Sequence, residues 1–153
     1  MSTINVIAAP EIRVSFKSKM KASERPVVCC SADAVPLFRQ HWDANFYEIR
    51  EEARMLLLST KGRVLGIFTL SVGGLCGTVI DPSVLFLIAL RTPGTKSFIL
   101  AHNHPSGSTT PSAADLGLTK KIGEGAQLLN LRLNDHLILS SDSYLSMADE
   151  GLL

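Results

Sequence analysis

An apolar run, Phe98-Ile99-Leu100-Ala101, passes straight into His102-Asn103-His104, and this junction constrains the fold more than any other part of the chain. A short continuous apolar run of this kind reads as a buried strand. Strand side chains alternate between faces, so His102 and His104 point to the same side and both imidazoles can reach one metal ion. Ser112 reads as the N-cap of the next helix, with Asp115 in its first turn, where a carboxylate can supply a third ligand. Three protein ligands with an open fourth position is how catalytic zinc sites are built, whereas structural zinc sites are closed by four. The pattern points to a metal-dependent hydrolase.

The rest of the chain supplies elements to surround such a strand. Ile12, Val14 and Phe16 alternate with polar residues and suggest an edge strand near the start. Ser31 is placed to cap a helix from about Ala32 to Trp42, with Val35, Phe38 and Trp42 at helical spacing. Arg54 to Leu58 reads as a core strand, Thr60-Lys61-Gly62-Arg63 as its turn, and Val64 to Leu70 as the returning strand. Gly73-Gly74 and Gly77 mark an irregular turn. Asp81-Pro82 starts a helix reaching about Arg91. A helix from Ser112 to about Leu129 buries Leu118, Ile122, Ala126 and Leu129, while Gly117, Gly123 and Gly125 lower its propensity. Leu131 to Leu139 and a short strand near Tyr144 close the chain. Strands and helices around one sheet make an α/β or α+β domain.

Composition excludes more than it identifies. With 153 residues, 46% of them hydrophobic, the chain is long enough for one domain with a substantial core. A net charge of +1 makes no electrostatic case for strong DNA binding. No apolar run reaches the ~18–20 residues a membrane span needs, and Met1 to Pro10 lacks the pattern of a signal peptide. A cytoplasmic protein with no membrane association is expected. Cys29, Cys30 and Cys76 form no C-x-x-C pair, so neither a disulfide framework nor a thiolate zinc site is expected. Cys29 and Cys30 read as small apolar residues.

Seven residues separate His104 from Ser112 and two separate Ser112 from Asp115. This His-x-His, Ser, Asp spacing resembles the JAMM pattern of MPN-domain metalloproteases. The string His102 to Gly107, with Asp135-His136-Leu137-Ile138 downstream, is similar to the RadC-like JAB branch, over about Ile49 to Glu150. The resemblance implies a single MPN/JAB-like domain, a mixed β-sheet flanked by helices, similar to the cytidine-deaminase-like layout. Residues 1–30 would form an N-terminal extension and residues 31–153 the domain. The length resembles the short bacterial form, without the helix–hairpin–helix segment that longer members carry ahead of the domain.

By that resemblance, His102, His104 and Asp115 would hold Zn²⁺ with water in the fourth position, and Ser112 would donate to the tetrahedral oxyanion. A glutamate at the entry to an early strand would be the general base and acid. Glu51 shares a strand side with Ala53, Met55 and Leu57, whereas Glu52 shares one with Arg54, which reads as a surface ion pair. Glu51 is therefore the choice and Glu52 the fallback. The substrate implied is a protein or peptide, cleaved at a peptide or isopeptide bond.

Each residue also has a plainer reading. His-x-His can be a satisfied polar pair, Ser112 and Asp115 a helix cap, and Glu51 a solvated charge. Asp135-His136 reads as a structural or ligand-supporting pair, and His41 as no ligand. The adjacency in His-Asn-His is not the dispersed pattern of an HNH nuclease. The His-x-Glu and Pro-Cys-x-x-Cys signals of zinc deaminases are absent. The alternative function is a non-catalytic accessory protein of DNA repair or DNA metabolism, with the same fold as an interaction module. Oligomeric state is not legible.

Overall fold

The computed structural model describes residues 17–74 and 78–153. The edge strand expected at Ile12, Val14 and Phe16 lies outside these residues, as do Cys76 and Gly77. Helix α1 (Ser31–His41) precedes the hairpin of β1 (Glu52–Leu58) and β2 (Val64–Val72). Helix α2 (Pro82–Arg91), strand β3 (Ser97–Asn103), helix α3 (Ala113–Leu128) and strands β4 (Arg132–Leu139) and β5 (Tyr144–Ser146) follow. The five strands form one mixed sheet in the order β2-β1-β3-β4-β5. Only β3 and β4 run parallel, and α3 makes the crossover that a parallel pair requires.

Strand alternation splits the core into two faces. Leu56, Leu58, Ile99, Ala101, Leu137 and Leu139 meet α1 through Ala34, Val35 and Phe38, with Trp42 and Tyr47 completing that layer. Ala53, Met55, Leu57, Phe98 and Leu100 meet α2 and α3 through Leu85, Ala89, Ile122 and Ala126. The sheet is thus covered on both sides, which is why β3 is buried along its whole length and reads as a continuous apolar run.

Most caps follow the sequence. The Asp81 carboxylate accepts from the Ser83 amide, and Pro82 opens α2. Ser112 caps α3 reciprocally with Asp115. At α1 the cap position falls to Cys30 rather than Ser31. The Asp33 carboxylate takes the amides of both Cys29 and Cys30, while the Ser31 hydroxyl donates to Asp149 at 2.6 Å. Cys29 and Cys30 are exposed at this helix start, not apolar filling. On α3 the buried stripe is Thr119, Ile122 and Ala126, with Leu118 partly buried and Leu129 exposed. Gly125 has a packing reason: a Cβ there would meet the Phe86 ring at 2.9 Å.

The segment Pro26–Val28 docks on the β1–β2 turn, with Val28 N–H donating to Gly62 O and Val64 N–H to Pro26 O. Among the described residues no helix is long and apolar enough to cross a membrane.

Candidate metal centre

His102 and Asn103 are the last two residues of β3, and His104 continues the ladder by donating its amide to Leu139 O at 2.9 Å. His102 shares the α3-facing side with Phe98 and Leu100 and is almost fully buried. Ala53 of β1 pairs with His102, so the antiparallel register continued by two residues sets Glu51 opposite His104 on the same side. Glu51, His102 and His104 offer ligand atoms that all lie within 4.8 Å of one another, a spacing at which they could hold a metal ion. The two Nε2 atoms are 2.9 Å apart. Asp115, from the first turn of α3, lies against the same nitrogens: its Oδ1 is 3.4 Å from His102 Nε2 and its Oδ2 3.8 Å from His104 Nε2. The structure thus gathers Glu51, His102, His104 and Asp115 at one end of the sheet.

The electrostatics suit ligands and a base. Burial pushes His102 down to about 4, against which the Asp115 charge acts, so the ring is neutral at physiological pH. His104 Nδ1 is 2.8 Å from the Ser108 carbonyl, which can only accept, so a neutral His104 carries its proton there and turns a bare Nε2 toward His102. For Asp115, burial works to raise the pKa. The Ser112 hydroxyl bond, His102, the Ser112 amide and His104 outweigh it and hold the carboxyl below its usual range. Burial raises Glu51, only partly opposed by His104. Two imidazole nitrogens with carboxylate oxygens are a donor set that fits an ion of the zinc type.

Ser112 lies at the rim, and its hydroxyl donates to Asp115 Oδ2 at 2.6 Å while its amide donates to the same oxygen at 2.7 Å. The hydroxyl proton is thus committed to the carboxylate. Asp135 and His136, adjacent in β4, part company across the sheet as strand alternation requires. His136 Nε2 lies 2.8 Å from His102 Nδ1. Asp135 instead ties the last turn, accepting from Ser146 Oγ at 2.6 Å and Ala148 N–H at 3.0 Å.

Two residues of the site escaped the sequence reading. Asn103 is fully buried on the α1 side, where its Oδ1 accepts from Trp42 Nε1 and Glu52 N–H and its Nδ2 donates to Tyr47 O and Arg50 O. Thr119 sits one helical turn after Asp115, and its Oγ1 reaches His136 Nδ1 at 2.6 Å. Four-residue spacing from Asp115 on α3 was the available signal for Thr119. Glu52 does pair with Arg54, and also with Arg50, yet it is 2% exposed, so the pair is buried under Trp42 rather than on the surface. His41 is remote from the cluster, bonded to Leu37 O at the end of α1.

The family model described as RadC-like JAB domain matches residues 28–152. A UPF0758 protein of Desulfitobacterium hafniense is 37% identical over 129 residues, covering 84% of this chain and 55% of that protein. One from Listeria monocytogenes is 35% identical over 148 residues, covering 95% of this chain and 63% of the relative. One from Porphyromonas gingivalis is 44% identical over 105 residues, covering 68% and 46% respectively. The chain therefore spans roughly half to two thirds of the length of these relatives.

Proposed function

The chain belongs to the RadC-like JAB domain family, and from that premise we propose that it is a zinc-dependent hydrolase of the JAMM type. It cleaves a peptide or isopeptide bond in a protein or peptide substrate. The observation that carries this reading is the convergence of His102 Nε2, His104 Nε2 and the carboxylates of Glu51 and Asp115 at one end of the sheet.

His102, His104 and Asp115 would hold the ion. Asp115 suits that role because the Ser112 hydroxyl and amide both donate to its carboxylate and favour the anion. A bound zinc ion would supply a water of pKa ~7 and Lewis-acid stabilisation of developing negative charge. Glu51 is left as the proton carrier: its raised pKa makes it the better acceptor of the attacking water's proton, which it then delivers to the leaving nitrogen. Ser112 holds Asp115 through its hydroxyl. From the rim of the site the same hydroxyl would be the donor to the substrate oxyanion, a role worth about 2.7–4 kcal/mol per donor.

The test is zinc content by elemental mass spectrometry together with cleavage of a proteome-derived peptide library. Near one zinc per chain, lost in Asp115→Ala, with cleavage lost in Glu51→Gln, is the expected result. No zinc after reconstitution at neutral pH, or cleavage undiminished in Glu51→Gln, overturns the reading.

A further inference from the structure

Three contacts behind the cluster form a line. Thr119 Oγ1 is 2.6 Å from the Asp115 carbonyl oxygen and 2.6 Å from His136 Nδ1. His136 Nε2 is 2.8 Å from His102 Nδ1. His102, Thr119 and His136 are all buried, which shields these bonds from bulk solvent. For neutral rings the line admits one arrangement of protons. The Asp115 carbonyl oxygen only accepts, and two oxygens 2.6 Å apart need a hydrogen between them, so the single Thr119 hydroxyl hydrogen points there rather than to the Met147 sulfur at 3.5 Å. Thr119 Oγ1 then faces His136 as an acceptor, which puts the His136 proton on Nδ1. Its Nε2 is bare and accepts the Nδ1–H of His102. His102 Nε2 is left as a lone pair turned into the site, 2.9 Å from the Nε2 of His104, itself bare because His104 donates from Nδ1 to Ser108 O. Two lone pairs meeting at that distance repel unless a cation lies between them.

We propose that Thr119 and His136 are positioning residues, a proton-ordered relay that fixes the His102 proton on Nδ1 so that Nε2 always presents its lone pair to the ion. The inference rests on the metal-site reading above and deepens it. The relay starts on the helix that carries Asp115, so the element supplying one ligand also sets the tautomer of another. A histidine ligand held this way has a ring fixed in orientation as well as in protonation, and loss of such supporting bonds elsewhere weakens metal affinity by about 10–100-fold.

The experiment is a two-bond proton–nitrogen correlation spectrum of the histidine rings at neutral pH, on zinc-stripped protein and after one equivalent of zinc. His136 is expected with its proton on Nδ1 and a bare Nε2 in both states, and zinc-loaded His102 with its proton on Nδ1. Thr119→Ser keeps this pattern and the zinc affinity. Thr119→Val, with no acceptor at that position, moves the His136 proton to Nε2 and lowers zinc affinity by about 10–100-fold. A wild-type His136 carrying its proton on Nε2 overturns the relay without any variant, as does a Thr119→Val protein with unchanged His136 tautomer and affinity. Zinc uptake with the opposite tautomer defeats the relay alone. The stated His136 tautomer, lost in Thr119→Val, in a protein that takes up no zinc upholds the relay and defeats the metal reading.

Discussion

Asn103 holds the backbone on both sides of Glu51. Its Oδ1 accepts the Glu52 amide at 2.7 Å and its Nδ2 donates to the Arg50 carbonyl at 3.0 Å. The residue between the two histidines therefore faces away from them, through the sheet, and clamps the peptide groups that flank the carboxylate opposite. One dipeptide step of β3 thus positions groups from two strands, with His102 on one face and the anchor of Glu51 on the other.

Replacing Asn103 by Ala leaves the Trp42 and Glu52 N–H groups and the Tyr47 and Arg50 carbonyls without this partner. At about 1–3 kcal/mol for each unsatisfied buried group, partly offset by relaxation, the variant should lose on the order of 3 kcal/mol or more. Urea denaturation measures this as a lower midpoint. At temperatures where the variant is folded it should bind zinc through His102 and His104 while turnover falls, because Glu51 is no longer held.

Glu51→Gln keeps the size of the side chain and removes its basicity. Zinc stoichiometry should stay at the wild-type value while hydrolysis drops by about 10²–10⁴-fold, the usual contribution of a positioned acid–base group. Elemental mass spectrometry and the turnover of any peptide found to be cleaved separate the two effects. Loss of zinc along with activity would instead make Glu51 a ligand.

Metal-free stability should fall with acidification. Burial depresses His102 from 6.5 to about 4 and His136 from 6.5 to about 3, so within those windows the unfolded chain holds protons that the folded one refuses. Unfolding then takes up protons, and stability decreases as pH falls. The full contribution is present above 6.5 and is lost down to about 4 for His102 and about 3 for His136, at up to ~1.4 kcal/mol per pH unit for each group. Denaturation midpoints of zinc-stripped protein across this range check the slope, and His136→Gln should make it shallower.

Two glycine substitutions should act with opposite sign. Gly62 has φ +68°, and a Cβ there would lie 2.7 Å from Val28 O, so Gly62→Ala strains the turn and pushes on the docked segment. Gly123 lies in mid-helix with nothing within 4 Å of an added Cβ. Gly123→Ala should raise stability by about 0.5–1 kcal/mol through helix propensity and a less flexible unfolded chain. Thermal denaturation of the pair decides both signs.

Local chemistry was legible wherever it is carried by neighbours in the chain. The Asp81-Pro82 start of α2 and the Ser112–Asp115 cap of α3 depend on side chains reaching amides two or three residues away. The apolar run before His102 needed nothing but its length and composition to read as a buried strand. Where a longer reach competes, the reading slipped. Ser31 loses the α1 cap because Asp33 takes two amides and Asp149 takes the Ser31 hydroxyl. Leu129 leaves the α3 stripe because α3 ends at Leu128 and Leu129 is its C-cap, outside the helical period.

By itself the sequence determined which residues can meet on one side of β3 and on the first turn of α3, since the two-residue strand period and the helix cap are properties of the local backbone. Only the tertiary structure decided what stands behind them. The antiparallel register of β1 against β3 sets Glu51 opposite His104, and the parallel register of β4 sets His136 beside Leu100, on the face of His102 and within reach of its Nδ1. The packing of α3 on β4 brings Thr119 to His136. Register is set by the burial of both sheet faces together, and a slip of one residue in β1 or β4 would turn Glu51 or His136 to the opposite face.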